Sequence, residues 1–207
     1  MKKSFKITLV LISILLLVAV GLFFLSKYLK QEDKEVKVEV MDSIADYGYT
    51  LDSLDSEVFK EEFLILKELL SLDNVDYDLY AKSLAKLFAI DLYTLETKIH
   101  KGDVGGAEYI HSTKKEVYKT KMMNEMYKEL KDNSSNNRNQ ELPYVSSVEV
   151  IEAIQSKYKT TEEVDSYEVT VEITYKKDMG YDSKIKVILV REDKKLVIAE
   201  FKPVVEE

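Results

Sequence analysis

A chain of 207 residues has room for one soluble domain beside a membrane segment, and at 45% apolar and 33% charged it can bury a core, which excludes global disorder. The absence of cysteine excludes disulfides, thiolate metal sites, a cysteine nucleophile and a lipid-modified cysteine. The net charge of −8 divides unevenly: Lys2, Lys3, Lys6, Lys27 and Lys30 give residues 1–30 a charge of +5, and the remaining −13 makes the body a poor ligand for nucleic acid.

Residues 1–6 read as an N-terminal cytoplasmic tail. Ile7 to Leu25 is a run of 19 residues with no charge, 15 of them Leu, Ile, Val or Phe. As a helix it would span roughly 28 Å, close to the hydrocarbon thickness of a bilayer. Its small residues, Ala19 and Gly21, lie inside the apolar run instead of after it, so the run reads as a retained anchor and not a cleaved signal peptide. Lysines flank both ends, and the positive-inside count is nearly balanced. The short lysine-rich tail resembles a signal-anchor n-region, which places the N-terminus inside and the C-terminal domain outside the cell membrane. Residues 26–35 form a polar stalk, and residues 36–207 a soluble α+β domain.

Within that domain, Val36, Val38 and Val40 alternate with Lys37 and Glu39, as in an edge strand, and Tyr47-Gly48-Tyr49 reads as a turn. Phe59, Phe63, Leu66 and Leu70 predict a helix over 57–72, capped by Asp55 or Ser56. Tyr77, Ala81, Leu84, Phe88, Leu92, Leu95 and Ile99 keep helical spacing and predict a second helix over 77–99. A third helix is expected from Thr113, where Thr113 and Glu116 fit a capping box, with Val117, Met123, Met126, Tyr127 and Leu130 as its apolar positions. Residues 132–140 contain no apolar side chain and read as a loop.

After Pro143 the period changes. Residues 145–158 have a spacing that would suit a helix, but their Val/Ile content and the following Thr160-Thr161 favour a strand. Tyr167, Val169, Val171, Ile173 and Tyr175 alternate with polar residues, as in an antiparallel strand with one wet face. Strands over 185–191 and 196–202 come next, separated by turns at 179–182 and 192–195. The fold class is therefore α+β: about three helices packed on a curved antiparallel sheet of three to four strands.

Chemistry-bearing groups are sparse. Lys101-Gly102-Asp103-Val104-Gly105-Gly106 holds three of the six glycines, lacks the Gly-Lys-Ser/Thr of a phosphate loop, and reads first as a tight connection. The only histidines, His100 and His111, flank it without a shared helical face, so they read as surface or capping residues and no metal site is expected. Asp91 sits roughly 60° from the centre of the second helix's apolar stripe, beside Tyr80. A carboxylate there either reaches water at the edge of the core or is bonded by a buried partner such as a tyrosine, and in this fold it could face a pocket. Asp91, Tyr80, Gly105 and Gly106 are the candidate ligand-binding residues. No catalytic residue and no cofactor is assigned.

The stretch from Phe88 to Leu95, with Asp103-Val104-Gly105-Gly106 and Asp178-Met179-Gly180-Tyr181-Asp182, resembles a group of small membrane-anchored proteins of low-GC Gram-positive bacteria. That resemblance implies an anchor but no activity. The order of anchor, helices and C-terminal sheet resembles the nuclear-transport-factor-two-like superfamily, whose exported, tethered members act as scaffold subunits in conjugation and type IV secretion. Together these readings point to a membrane-tethered, non-enzymatic exocytoplasmic domain with protein or cell-envelope partners. The alternative is a small-ligand or acid–base pocket between helices and sheet.

Overall fold

The computed structural model describes residues 16–22, 36–159 and 162–204. Residues 16–22 are helical; most of the expected anchor lies outside the described residues. Among the described residues no helix is long and apolar enough to cross a membrane. The chain divides into two units, residues 1–35 and 36–207.

The second unit opens with a hairpin, β1 (Val40–Ile44) and β2 (Tyr49–Asp52), turned at Gly48 with φ +66°. The strand expected over 36–40 is thus displaced toward the C-terminus. The reason is burial: Ile44, Tyr47, Tyr49 and Leu51 enter the core, whereas Val38 and Val40 stay exposed. Helix α1 (Glu57–Leu70) starts at Ser56, whose hydroxyl accepts from Phe59 N, and buries Phe59, Phe63, Leu66 and Leu70. Helix α2 (Tyr77–Tyr93) is capped by Asp76 and nearly encircled by protein.

Helix α2 stops six residues short of the expected end. The Thr94 hydroxyl donates to Ile90 O at 2.6 Å, and the backbone leaves helical geometry at Thr94. A 3-10 turn over Leu95–Thr97 then keeps Leu95 buried, so the apolar spacing persists after the α-helix has ended. Helix α3 (Lys115–Asn124) also differs from expectation. The capping box does not form; the Thr113 hydroxyl instead meets His111 Nδ1 at 3.0 Å, and a 3-10 turn precedes the helix. The buried face carries Tyr118 and Met122, while Val117 is 73% exposed.

Strands β3 (Val145–Lys159), β4 (Glu163–Tyr175), β5 (Lys184–Glu192) and β6 (Lys195–Pro203) form an antiparallel sheet in sequential order. Residues 145–158 are therefore strand. Val145, Val148, Val169, Val171, Ile173, Ile185, Val187, Leu189, Leu196 and Ile198 share one core with the helices. Val190, Val197 and Ala199 form a smaller cluster covered by Tyr158. In a flat sheet β3 and β6 would lie roughly 14 Å apart, at about 4.8 Å per strand. Yet the Tyr158 hydroxyl donates to Glu200 Oε2 at 3.3 Å, so the sheet rolls strongly at the β3–β4 end. Bulges at Val145/Ser147, Val150/Glu152 and Ile188/Leu189 supply local bends.

Candidate functional site

The sequence candidates divide between two places. Asp91, Gly105 and Gly106 come together; Tyr80 belongs elsewhere. Its hydroxyl accepts from Leu196 N at 3.3 Å and lies 2.6 Å from the Tyr49 hydroxyl, which donates to Leu196 O at 3.2 Å. Tyr49 has only one proton, and it is committed to Leu196, so Tyr80 donates to Tyr49. The result is a closed ring of three bonds that clamps the start of β6 to α2 and β2. Burial pushes the Tyr80 hydroxyl up to about 12, which keeps it protonated. Tyr80 is thus a structural group.

Asp91 projects from the last turn of α2. One carboxylate oxygen pairs with Lys98 Nζ, and the other accepts from Gly106 N at 2.6 Å. Both side chains are largely covered, at 9% exposure for Lys98 and 15% for Asp91. Burial pulls Lys98 down, but the charge of Asp91, with Tyr127 and Asp103, outweighs it and holds the ammonium above its ordinary range.

The glycines are required by this packing. A Cβ on Gly105 would collide with the Asp91 carbonyl. One on Gly106, where φ is +73°, would stand 2.6 Å from the Phe88 ring. The backbone between them is fully engaged: Gly105 N donates to the Tyr127 hydroxyl at 3.2 Å, and the Tyr118 hydroxyl donates to Gly105 O at 2.6 Å. The glycine loop is therefore a tight connection pinned to α2.

Around this lock lies a cleft of about 160 Å³, lined by Asp52, Asp55, Asp91, Lys98, Asp103 and Glu108 among others. Most of these carboxylates already hold a backbone donor. Asp55 accepts from Asp52 N at 2.6 Å, Asp103 from Ile99 N at 2.9 Å, and Glu108 from Thr50 N at 3.4 Å. Asp52 Oδ1 is buried without a partner among the described residues. Burial, with the charges of Asp91 and Asp55, pushes Glu108 up to about 7; burial, with Asp91 and Asp52, pushes Asp55 up to about 6. The buried Tyr109 hydroxyl lies beside Glu108 without closing a well-formed hydrogen bond.

Asp103 and Glu108 are visible in the sequence as acids flanking the glycine loop. Lys98, Asp52 and Asp55 are not, because they arrive from outside any recognisable motif. His100 is exposed, with its Nδ1 accepting from Gly102 N, and His111 opens the turn before α3. Among the described residues no group of His, Asp and Glu has the geometry of a metal site.

A second concavity, of about 390 Å³, runs between α3 and β6 and is lined by Ile110, Val117, Tyr118, Ile198 and Phe201, with Lys114 and Lys121 alongside. Its floor is firm: the Phe201 ring packs at 5.0 Å from Phe88 and 5.9 Å from Tyr118. Comparison of the chain with known protein families, with curated proteins and with solved structures gives no match.

Proposed function

We propose that this chain is a membrane-tethered, non-enzymatic interaction domain, exported on the N-terminal anchor and gripping an apolar segment of another envelope protein in the groove between α3 and β6. The observation that carries the reading is Val117. A helix that needs its apolar residues for the core has left a valine 73% exposed over a groove floored by Ile198 and Phe201. Apolar lining beside Lys114, Lys121 and Glu200 suits an apolar segment with polar flanks. Support for the tether comes from the anchor run, whose described residues 16–22 are helical and expose Leu16, Leu17, Val18, Val20 and Leu22. A photoreactive phenylalanine analogue at Lys121, activated in intact cells, tests the groove. The expected result is one discrete adduct that disappears in Val117→Asp. No adduct, or the same adduct from a probe at exposed Lys101, would contradict it.

The alternative, a ligand or acid–base pocket, has its own observation: the buried, unpartnered Asp52 Oδ1 beside a Glu108 that holds its proton near neutrality. Such a cleft would take a small cationic or hydrogen-bond-donating molecule. A thermal-shift screen of small amines distinguishes the readings, since occupancy at about 100 times Kd adds about 2.7 kcal/mol to stability.

A further inference from the structure

Beyond the C-terminal end of α2 lies a polar concavity of about 510 Å³, walled on one side by the loop 132–140. Three cations from two segments meet there: Arg138 from the loop, and Lys176 and Lys177 from the chain just after β4. Two acids share the lining, Glu96 and Glu141, and Glu141 is taken by Lys177 at 2.6 Å. Asp132, the acid of the loop itself, is turned to Ser134 N at 2.8 Å. Arg138 donates to the carbonyls of Glu96, Lys98 and Lys131, bonds that fix the guanidinium without neutralising it. Among the described residues Lys176 is in no ion pair; its ammonium rests 3.4 Å from the centre of the Tyr144 ring. The Asn136 amide has no hydrogen-bond partner there either. On a body that carries −13, this is a fixed positive pocket with an ammonium and an amide to spare.

The same loop marks where the tether enters. Val36 N donates to Ser134 O at 2.8 Å, so the first residue of the domain is bonded to the wall of the pocket. Ten residues, 26–35, separate Val36 from the end of the apolar run, a reach of at most roughly 40 Å. Anionic lipid gives a membrane surface a negative potential that repels an acidic body and attracts a positive patch within a Debye length. We infer that this pocket binds the phosphate of an anionic phospholipid headgroup in the membrane that holds the tether. Lys176 and Asn136 donate to the phosphate oxygens, and Arg138 supplies fixed positive charge beside them. The inference rests on the tether reading and is independent of what fills the α3–β6 groove.

The chain has no cysteine, so a thiol introduced at exposed Asn137 takes a single fluorophore. Lys194→Cys is the control: Tyr77 donates to Lys194 O, which places it at the other end of α2, roughly 25 Å away. Each labelled full-length chain is reconstituted in vesicles that carry a headgroup nitroxide quencher. The lipid is phosphatidylcholine alone or phosphatidylcholine mixed with phosphatidylglycerol. Phosphatidylglycerol should raise quenching at Asn137→Cys by about twofold or more and leave Lys194→Cys unchanged. Adding Lys176→Glu, or Asn136→Ala, should remove most of the rise while melting curves show the domain folded. Equal quenching in the two lipids, an equal rise at the control, or a rise that survives Lys176→Glu would overturn the inference. Inorganic phosphate that abolishes the rise where chloride of equal ionic strength does not would assign the pocket to a free anion and overturn the lipid. Flotation with phosphatidylcholine alone tests the tether separately: protein that floats but shows no phosphatidylglycerol effect contradicts this inference alone, and protein that does not float contradicts the tether.

Discussion

Lys98 Nζ and Asp91 form a largely buried ion pair across the end of α2, and the same carboxylate holds Gly106 N. The pair ties three segments together: the helix, the 3-10 turn after it, and the glycine loop. Removing one partner strands the other charge in a covered site, which costs more than the pair itself contributes. Lys98→Ala is therefore expected to destabilise the domain by about 3–5 kcal/mol in urea unfolding. Asp91→Asn in the Lys98→Ala background should recover part of that loss, because no uncompensated charge remains.

The hydroxyl ring of Tyr80, Tyr49 and Leu196 makes a second, independent prediction. Tyr80→Phe leaves Leu196 N without its acceptor and removes one of the two bonds of the Tyr49 hydroxyl, which keeps Leu196 O, at a cost of about 1–3 kcal/mol. Because the bonds form one circuit, Tyr49→Phe added to Tyr80→Phe should cost less than the sum of the single changes. Strict additivity in a double-mutant cycle would show that the ring does not act as a unit.

Stability should fall as pH rises from about 4.5 to 7. A glutamate in the unfolded chain releases its proton near 4.5, whereas folded Glu108 keeps its proton to about 7. Through that interval the folded state binds more protons, so raising the pH drains stability. The contribution is fully present below 4.5 and gone above 7. Asp55 acts in the same direction between 3.8 and about 6. Asp42, Asp132, Glu168 and Glu192 are held below their ordinary values, so their contributions are lost only on acidification below about 4.5. Glu108→Gln should flatten the midpoint-against-pH curve between 5 and 7 (measured by thermal melts in constant ionic strength), and an unchanged slope would refute the assignment.

Periodic elements are legible in the sequence, and contacts between distant segments are not. The Tyr167–Tyr175 alternation and the Phe88-centred stripe mark their strand and helix because period and burial coincide there. The hairpin register, the early end of α2 and the exposure of Val117 escape a sequence reading, since each is decided by a tertiary partner: Tyr47 and Tyr49 entering the core, Thr94 turning its hydroxyl to Ile90, and Tyr118 taking the buried face. The polar stretch 132–140 reads as a loop. It also braces the turn after α2 through Arg138, which donates to Glu96 O at 2.6 Å and Lys98 O at 2.7 Å. At the candidate site, glycines and an off-stripe Asp91 are visible as anomalies. Lys98, which explains them, reads locally as one more lysine.

Membrane tethering is the claim on which the functional account rests, and extraction of isolated membranes with alkaline carbonate measures it directly. Full-length protein should stay with the pelleted bilayers and leave them only in detergent, while a variant with lysines replacing Leu11, Leu15 and Val18 should not. Intact protein released into the carbonate supernatant would contradict the account.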